Sequence, residues 1–201
     1  MNNPTNLHSF QTNTSSSKPQ SQPTLSLASS NVVSFTDYTK RLQIINESLS
    51  NNFDILGLSE TNLTSKQSKF VHKEILPNYY SVFNSASDKC RGTGVALLLK
   101  HNIAAHVIKT KGNMGRYIYV DLNFKRHITL RIFQVYLHAN PSDIDQRVLI
   151  QNEICQEIIN AKLLGYDIVL MGDFNFNYHA PDRRKAYLSK KSIFFQNLQS
   201  L

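Results

Sequence analysis

An aspartate and an asparagine stand two residues apart at the end of one apolar run. The run covers residues 167–171, and Gly172, Asp173, Phe174 and Asn175 follow it. Because alternate residues of a strand face the same way, Asp173 and Asn175 would point together into a cleft. A carboxylate can accept a proton there, and an amide can donate a hydrogen bond to an oxyanion. The alternative is a simple turn, since Gly, Asp and Asn are common where strands end.

Two further apolar runs end in polar groups. Glu60 follows residues 55–59, and Tyr136, His138 and Asn140 end or follow the run 128–136. A lone glutamate at a strand end is usually only solvated, and a lone tyrosine is more often a core or rim aromatic. Paired with Asp173, however, Glu60 becomes a candidate ligand for Mg²⁺, which proteins hold through one or two carboxylates, water and substrate phosphate oxygens.

The surrounding pattern predicts strands and helices that could bring these ends together. Tyr38, Leu42, Ile45 and Leu49 have helical spacing behind the cap candidates Thr36 and Asp37. A long helix is predicted after Asp143, with an apolar face formed by Ile144, Val148, Cys155, Ile158, Ile159 and Leu163, and it ends at Gly165. Strand-like segments are residues 53–58, 79–83, 94–99, 103–108, 117–122, 128–136 and 167–171.

This order of elements predicts an α+β fold with sheets packed together and covered by helices. Of residues 1–30, 19 are Ser, Thr, Asn or Gln, which predicts a disordered tail followed by one domain over residues 31–201. Two cysteines exclude a disulfide scaffold and a four-thiolate zinc site. The sequence contains no membrane-spanning run and no secretory signal. We therefore expect an intracellular protein, in the nucleus or cytoplasm.

The net charge of +8 favours a polyanionic partner. Residues 87–131 hold nine basic and two acidic residues, and residues 182–191 hold five basic and one acidic. We expect these basic loops around the cleft, where they would follow a DNA backbone. The alternative is that scattered Lys and Arg form an ordinary surface.

Several ordered motifs resemble the endonuclease/exonuclease/phosphatase superfamily, from about Asn31 to the last residue. Residues 54–61 resemble its glutamate motif, residues 92–99 its next core strand, and residues 172–175 its most distinctive block. Tyr136 followed by Asn140 matches its tyrosine motif, with one more residue between them than in some relatives. Any one block is weak, but several in order are a strong signal.

The resemblance implies a four-layer α/β/β/α sandwich of the DNase I-like type and a Mg²⁺ (or Mn²⁺) cofactor. In that mechanism Glu60 holds the metal and Asp173 orients or deprotonates the attacking water. Asn31 and Asn175 donate hydrogen bonds to phosphate oxygens, and Tyr136 stabilises charge in the transition state. The match to the tyrosine motif also makes Asn140 a substrate-binding candidate.

Two departures from the family pattern bear on activity. Val33 and Ser34 replace a polar residue and the usual glycine of the first motif, and the C-terminal Ser-Asp-His block is missing. We therefore expect a truncated domain with an incomplete second half, an unpaired sheet edge and severely impaired catalysis. His138 and His179 match no family motif and are predicted to be exposed loop residues.

The function favoured by the resemblance is Mg²⁺-dependent phosphodiester hydrolysis of DNA. The amino-acid sequences of the glutamate motif and of residues 92–99 are most similar to those of retrotransposon endonucleases. Two alternatives remain: a non-catalytic remnant that binds nucleic acid, or a phosphatase of inositol or lipid phosphates. No membrane association and no protein partner are inferred.

Overall fold

The computed structural model describes residues 24–85, 91–175, 194–195 and 197–199. The strands are β1 (Leu27–Asn31), β2 (Ile55–Ser59), β3 (Tyr80–Asn84), β4 (Val95–Leu99), β5 (Val107–Asn113), β6 (Tyr117–Phe124), β7 (Ile128–Tyr136) and β8 (Asp167–Asp173). The helices are α1 (Tyr38–Ser50), α2 (Ser65–Ile75), α3 (His101–Ala104) and α4 (Ile144–Leu163). Two 3-10 turns, Lys125–His127 and Pro141–Asp143, join β6 to β7 and precede α4.

The strands form two four-stranded mixed sheets. The order is β1-β2-β4-β3 in the first sheet and β5-β6-β7-β8 in the second. The pairs β1–β2 and β7–β8 are parallel, and the others are antiparallel. In the described part of the chain, β5 and β8 are the outer strands of the second sheet.

Strict alternation along the strands explains how the sheets pack. Ile55 on β2 and Leu97 on β4 face the second sheet, where they meet Val120 of β6 and Ile132 of β7. The residues that alternate with these along each strand of the first sheet face the helices instead, as Leu56 does. This period of two gives each central strand two apolar faces, so both sheets are buried between layers.

Helices cover the outer face of each sheet. Ile45 of α1 and Val71 of α2 pack on the first sheet, while Ile150, Ile154 and Ile158 of α4 pack on the second. The predicted four-layer α/β/β/α sandwich is therefore confirmed. Within the described residues, no helix combines the length and apolar character that a bilayer span requires.

Several element predictions need correction. The boundary at residues 30 and 31 falls inside β1, which begins at Leu27. Residues 103–108 are not one strand but the end of α3 followed by the start of β5. Helix α2 was not predicted; its Thr64 and Gln67 form a capping box, and its buried face is short.

The predicted helix faces were also partly wrong. On α1 only Ile45 of the predicted set is buried, because Arg41 and Ser48 occupy the inner face. On α4 the predicted Leu163 is 81% exposed, whereas Ile154 is fully buried. Polar side chains took inward positions that the apolar pattern could not anticipate. The capping role of Asp37 is confirmed, since its carboxylate accepts from Lys40 N.

One buried amide links the two sheets across their apolar interface. Gln134 of β7 accepts from the hydroxyl of Ser29 on β1 at 3.0 Å and donates to the hydroxyl of Ser59 on β2 at 2.7 Å. Ser59 in turn donates to Val135 O at 3.1 Å. Gly57 makes room, since a Cβ there would lie 1.9 Å from the Gln134 oxygen.

A buried ion-pair network joins α4 to the outer face of the second sheet. Arg131 forms a bidentate pair with Asp121 at 2.7 and 2.8 Å and reaches Glu157 of α4. Its guanidinium lies 4.0 Å from the Tyr119 ring centroid. Burial alone would raise the pKa of Glu157, but hydrogen bonds from Lys111 and Tyr119 lower it below its usual range.

Replacing Gly57 with Ala should destabilise the fold by about 1–3 kcal/mol, the usual cost of overpacking a filled core. Gln134 can retreat from the new methyl group only by giving up its bonds to two hydroxyls. Urea denaturation of wild type and variant measures the loss. The Gly57→Ala/Gln134→Ala double variant should lose less than the sum of the single variants, and additive losses would contradict the contact.

Stability should fall in acid partly through Glu157. The pKa of Glu157 is lower in the folded chain than its ordinary value of 4.5, so its charge stabilises the fold above that pH. The contribution is lost as the pH falls through the lowered pKa. We expect Glu157→Gln to be less stable at pH 7 and to lose less stability between pH 5 and 3. A pH dependence equal to that of wild type in urea melts would count against this role.

Candidate active site

Four strands end at the same edge of the sandwich. Asn31 pairs in register with Ser59, so β1 and β2 end side by side. Tyr136 pairs with Asp173, so β7 and β8 do the same in the other sheet. Asn31, Tyr136 and Asp173 each stand two residues beyond a side chain that faces the opposite sheet. Their side chains therefore face the gap between the sheets at this edge.

The two sheets contact each other here through Asn31 and Asp173. Asn31 Nδ2 donates to Asp173 Oδ2 at 2.8 Å, and Asn31 Oδ1 accepts from Val33 N at 2.9 Å. The other carboxylate oxygen of Asp173 accepts from Asn175 N at 2.9 Å. Asn175 Nδ2 donates to Leu137 O at 2.7 Å. Both amides thus hold Asp173 and its loop, and each NH₂ group carries a second hydrogen.

Glu60 reaches this edge through an unusual backbone conformation. By alternation it would follow Leu58 to the helix side of the sheet, but its φ of 58° turns the chain. The neighbouring Thr61 and Asn62 are held by the carbonyls of Gly94 and Thr93. Gly94 permits this approach, because a Cβ there would lie 2.3 Å from Thr61 Oγ1.

Tyr136 connects Glu60 to a basic residue. Burial and the adjacent Glu60 raise the pKa of Tyr136 to about 12, so the phenol keeps its proton at neutral pH. The Glu60 carboxylate accepts the hydrogen bond from that phenol. Arg116 lies with its guanidinium 5.4 Å from the Tyr136 ring centroid and donates to Gly92 O at 2.9 Å.

Arg116 is a site residue that the sequence analysis did not single out. Burial lowers its pKa, against the raising effect of Tyr136, Asp143 and Glu60. It directly precedes β6, and Tyr136 N donates to its carbonyl at 2.7 Å. The sequence could have indicated Arg116, since Gly115 and Arg116 stand at the start of an apolar strand. A half-buried guanidinium at this edge can bind a phosphate oxygen.

His138 is not the exposed loop residue that we predicted. It is buried, with 7% of its surface exposed, and its Nδ1 has no partner among the described residues. Burial and the charges of Arg116 and Arg147 lower the pKa of His138, while Asp143 raises it. The segment after β7 folds back under α4, which a sequence pattern cannot show. His179 lies outside the described residues.

Asn140 does not join the other candidates. It is exposed at the start of the 3-10 turn before α4, where its carbonyl accepts from Asp143 N at 3.2 Å. Val33 and Ser34 stand in a strained turn with φ of 50° and 140°. This is a conformation that favours glycine, which gives a physical reason for the family glycine at the position of Ser34.

Several of the basic residues expected around the cleft lie elsewhere. Lys125 and Arg126 occupy the β6–β7 turn at the opposite end of the second sheet. Lys100 binds Asn52 and Asp54 beside the start of β2, again at the far end. Arg131 is buried in its ion-pair network. Strand direction, rather than sequence clustering, decides which charges reach the site. The cluster at residues 183–191 lies outside the described residues.

The donor set fits a weakly held divalent cation rather than a closed metal site. Within residues 24–85 and 91–175, no three His, Cys, Asp or Glu side chains form a group that could hold a metal. Glu60 and Asp173 both offer half-exposed carboxylates at this edge. Mg²⁺ commonly uses one or two carboxylates and takes its other ligands from water and substrate phosphates. The role of Glu60 as metal ligand therefore stays a prediction compatible with the geometry.

The strands, helices and layers define an α+β sandwich of the DNase I-like class. The sequence matches the endonuclease/exonuclease/phosphatase family over residues 27–196. The chain belongs to this family, as its motifs predicted. A search of curated proteins finds no significant match.

Solved structures show the same fold at low identity. The AP endonuclease LMAP from Leishmania major is 12% identical with a TM-score of 0.70, and the match covers 87% of this chain and 66% of that chain. An AP endonuclease from Archaeoglobus fulgidus is 16% identical with a TM-score of 0.64, with 86% and 70% covered. D. rerio TDP2 complexed with a single-strand DNA product is 14% identical with a TM-score of 0.58, with 84% and 64% covered.

This chain is shorter than the proteins it matches. It spans 49% of one C. elegans TDP2 chain and 64% of the D. rerio TDP2 chain, less than two thirds of either.

The environment of His138 can be tested by titration. Its NMR midpoint should lie below the ordinary 6.5. Asp143→Asn should lower it further, because a carboxylate that favours the imidazolium is removed, and Arg116→Met should raise it, because a repelling cation is removed. The His138 ring ¹H–¹³C signals report each midpoint. A midpoint that both substitutions move in the same direction would be inconsistent with this arrangement.

Proposed function

We propose that this site hydrolyses phosphodiester bonds in DNA with Mg²⁺ or Mn²⁺ as cofactor. The observation that carries the proposal is the meeting of Asn31, Glu60, Tyr136 and Asp173 at one end of the gap between the sheets. Membership of the endonuclease/exonuclease/phosphatase family supports the same chemistry. The likeness to an AP endonuclease and to a TDP2 bound to a DNA product favours a nucleic-acid substrate.

Asp173 would orient the attacking water and take its proton. Each of its oxygens already accepts one hydrogen bond, from Asn31 Nδ2 and from Asn175 N. A carboxylate oxygen has a second lone pair, so Asp173 can also accept from water. Both bonds fix the direction of the remaining lone pairs. The amide of Asn31 keeps one hydrogen that can reach a phosphate oxygen, and Asn175 is the second candidate donor beside Asp173.

Glu60 would hold the cation, which supplies Lewis-acid stabilisation of the phosphate when bound. Tyr136 would remain a phenol at neutral pH and would donate a hydrogen bond to Glu60 or to a phosphate oxygen, where negative charge develops. Arg116 stands beside both groups as a fixed positive charge. A phosphodiester would therefore lie between a basic side and a carboxylate side of the same edge.

Two other functions remain as outcomes of the test. A chain that retains DNA equally well with Mg²⁺ and with chelator, without cutting it, would be a nucleic-acid-binding remnant. A chain that releases phosphate from an inositol polyphosphate but leaves plasmid DNA intact would be a phosphatase. Half-buried Arg116 would suit either phosphate, so the substrates must be compared directly.

Asp173→Ala should lower the rate of plasmid nicking by about 100-fold or more, the usual contribution of a positioned general base. Supercoiled plasmid is incubated with protein in excess, so that slow cleavage is measured, in Mg²⁺ and in chelator. Glu60→Gln should lower the rate and raise the Mg²⁺ concentration needed for half-maximal cleavage.

Lys125→Ala is the matched control, because this charge lies on the turn at the opposite end of the sheet. Its rate should equal that of wild type. Cleavage that persists in chelator, or in Asp173→Ala at the wild-type rate, would refute the proposed site.

A further inference from the structure

Arg147 of α4 contacts the loops that follow two active-site strands. The side chain is buried, with 1% of the residue's surface exposed. Its Nη1 donates to His138 O, and its Nη2 donates to Phe174 O at 2.5 Å. His138 follows β7, and Phe174 follows β8. One guanidinium thus binds the backbone of two loops that are separated by 36 residues in the sequence.

These two loops carry the chemical groups of the second sheet. His138 stands two residues after Tyr136, and Phe174 lies between Asp173 and Asn175. The loops also bind each other, since Leu137 N donates to Asp173 O at 3.0 Å and Asn175 Nδ2 donates to Leu137 O at 2.7 Å. Asn175 has a left-handed backbone with φ of 47°, directly after the carbonyl that Arg147 holds.

The chemistry of arginine suits this position. Carbonyls beyond the ends of strands have no ladder partner, and buried carbonyls need a donor. A guanidinium is planar and offers five N–H groups in a rigid fork, so it can serve two carbonyls at a fixed separation. Lysine has a compact ammonium on a flexible stem and cannot reproduce that geometry. The guanidinium therefore fixes the distance between the two carbonyl groups, which a single hydrogen bond would not do.

We propose that Arg147 is a positioning residue, which rests on the proposed function. Its fork holds the loop that follows Tyr136 at the end of β7 against the loop that follows Asp173 at the end of β8 and carries Asn175. It touches neither substrate nor cation and acts through the backbone of the two loops. A displacement of about 1 Å at a catalytic group can cost about 100-fold in rate, so loss of the fork should impair catalysis in a chain that still folds.

NMR tests the geometry independently of activity. In Arg147→Met, the side-chain amide signals of Asn175 should shift, and the Leu137 amide should exchange at least about 10-fold faster relative to the core amide of Val120. Arg147→Lys should show smaller changes, and it serves as the working variant if Arg147→Met does not fold.

Arg41→Met is the matched control. Arg41 is also a buried arginine that donates to two loop carbonyls, those of Phe35 and Thr36, but on the first sheet. Its loss should leave the Asn175 signals and the relative exchange of Leu137 unchanged. Unchanged Asn175 signals and Leu137 exchange in folded Arg147→Met, or in Arg147→Lys if only that variant folds, would overturn the inference.

Kinetics test the consequence. In plasmid nicking, kcat should fall about 100-fold in Arg147→Met and about 10-fold in Arg147→Lys, with KM changing less than about threefold. A purely structural role would lower the folded fraction and leave kcat per folded molecule unchanged. A wild-type kcat in a folded Arg147 variant would overturn the positioning role while the phosphodiesterase proposal stands. A wild type without metal-dependent cleavage would refute the proposed function, and the NMR comparison would still decide whether Arg147 holds the loops.

Discussion

The hydrogen bonds of Gln134 fix how the two sheets face each other. Apolar contact between sheets is non-directional and would tolerate small shifts, whereas a buried amide must keep its partners. Gln134 meets Ser29 and Ser59 at one relative placement of the sheets, and Gly57 leaves the space for it. Ser29 lies two residues before Asn31, and Ser59 lies one residue before Glu60. The placement that satisfies this amide therefore also places the strand ends side by side.

The site depends on that placement because no single segment contains it. Asn31 and Asp173 are 142 residues apart in the sequence and meet across the two sheets. Glu60 belongs to the first sheet and Tyr136 to the second. The buried network around Arg131 holds α4 on the second sheet, and α4 carries Arg147 to the loops behind Asp173. Rigid layers thus orient side chains that range from buried, as Tyr136 is, to exposed, as Asn31 is. This lowers the reorganisation that a reaction would need.

The parts of this structure that were predictable are those with local causes. Alternation along apolar runs indicated the strands, and polar residues at their ends indicated Glu60, Tyr136, Asp173 and Asn175. The left-handed turn at Glu60, the burial of His138 and the inward Arg41 arise from tertiary contacts that no local pattern encodes. The clustering of basic residues in the sequence did not predict which of them reach the site, for a related reason. Arg116 and Lys125 are only nine residues apart in the sequence, but they flank β6, which places them at opposite ends of the sheet. The roles of Glu60 and Asn140 toward metal and substrate stay predictions.

Paramagnetic broadening by Mn²⁺ tests most directly whether these strand ends form one cation-dependent site. Substoichiometric Mn²⁺ is added to ¹⁵N-labelled protein, and backbone amide signals are followed. Broadening should be strongest at Glu60, Tyr136 and Asp173, weak at Lys125 and Arg126, and greatly reduced in Glu60→Gln. Broadening that centres on another part of the chain, or that Glu60→Gln leaves intact, would contradict the account.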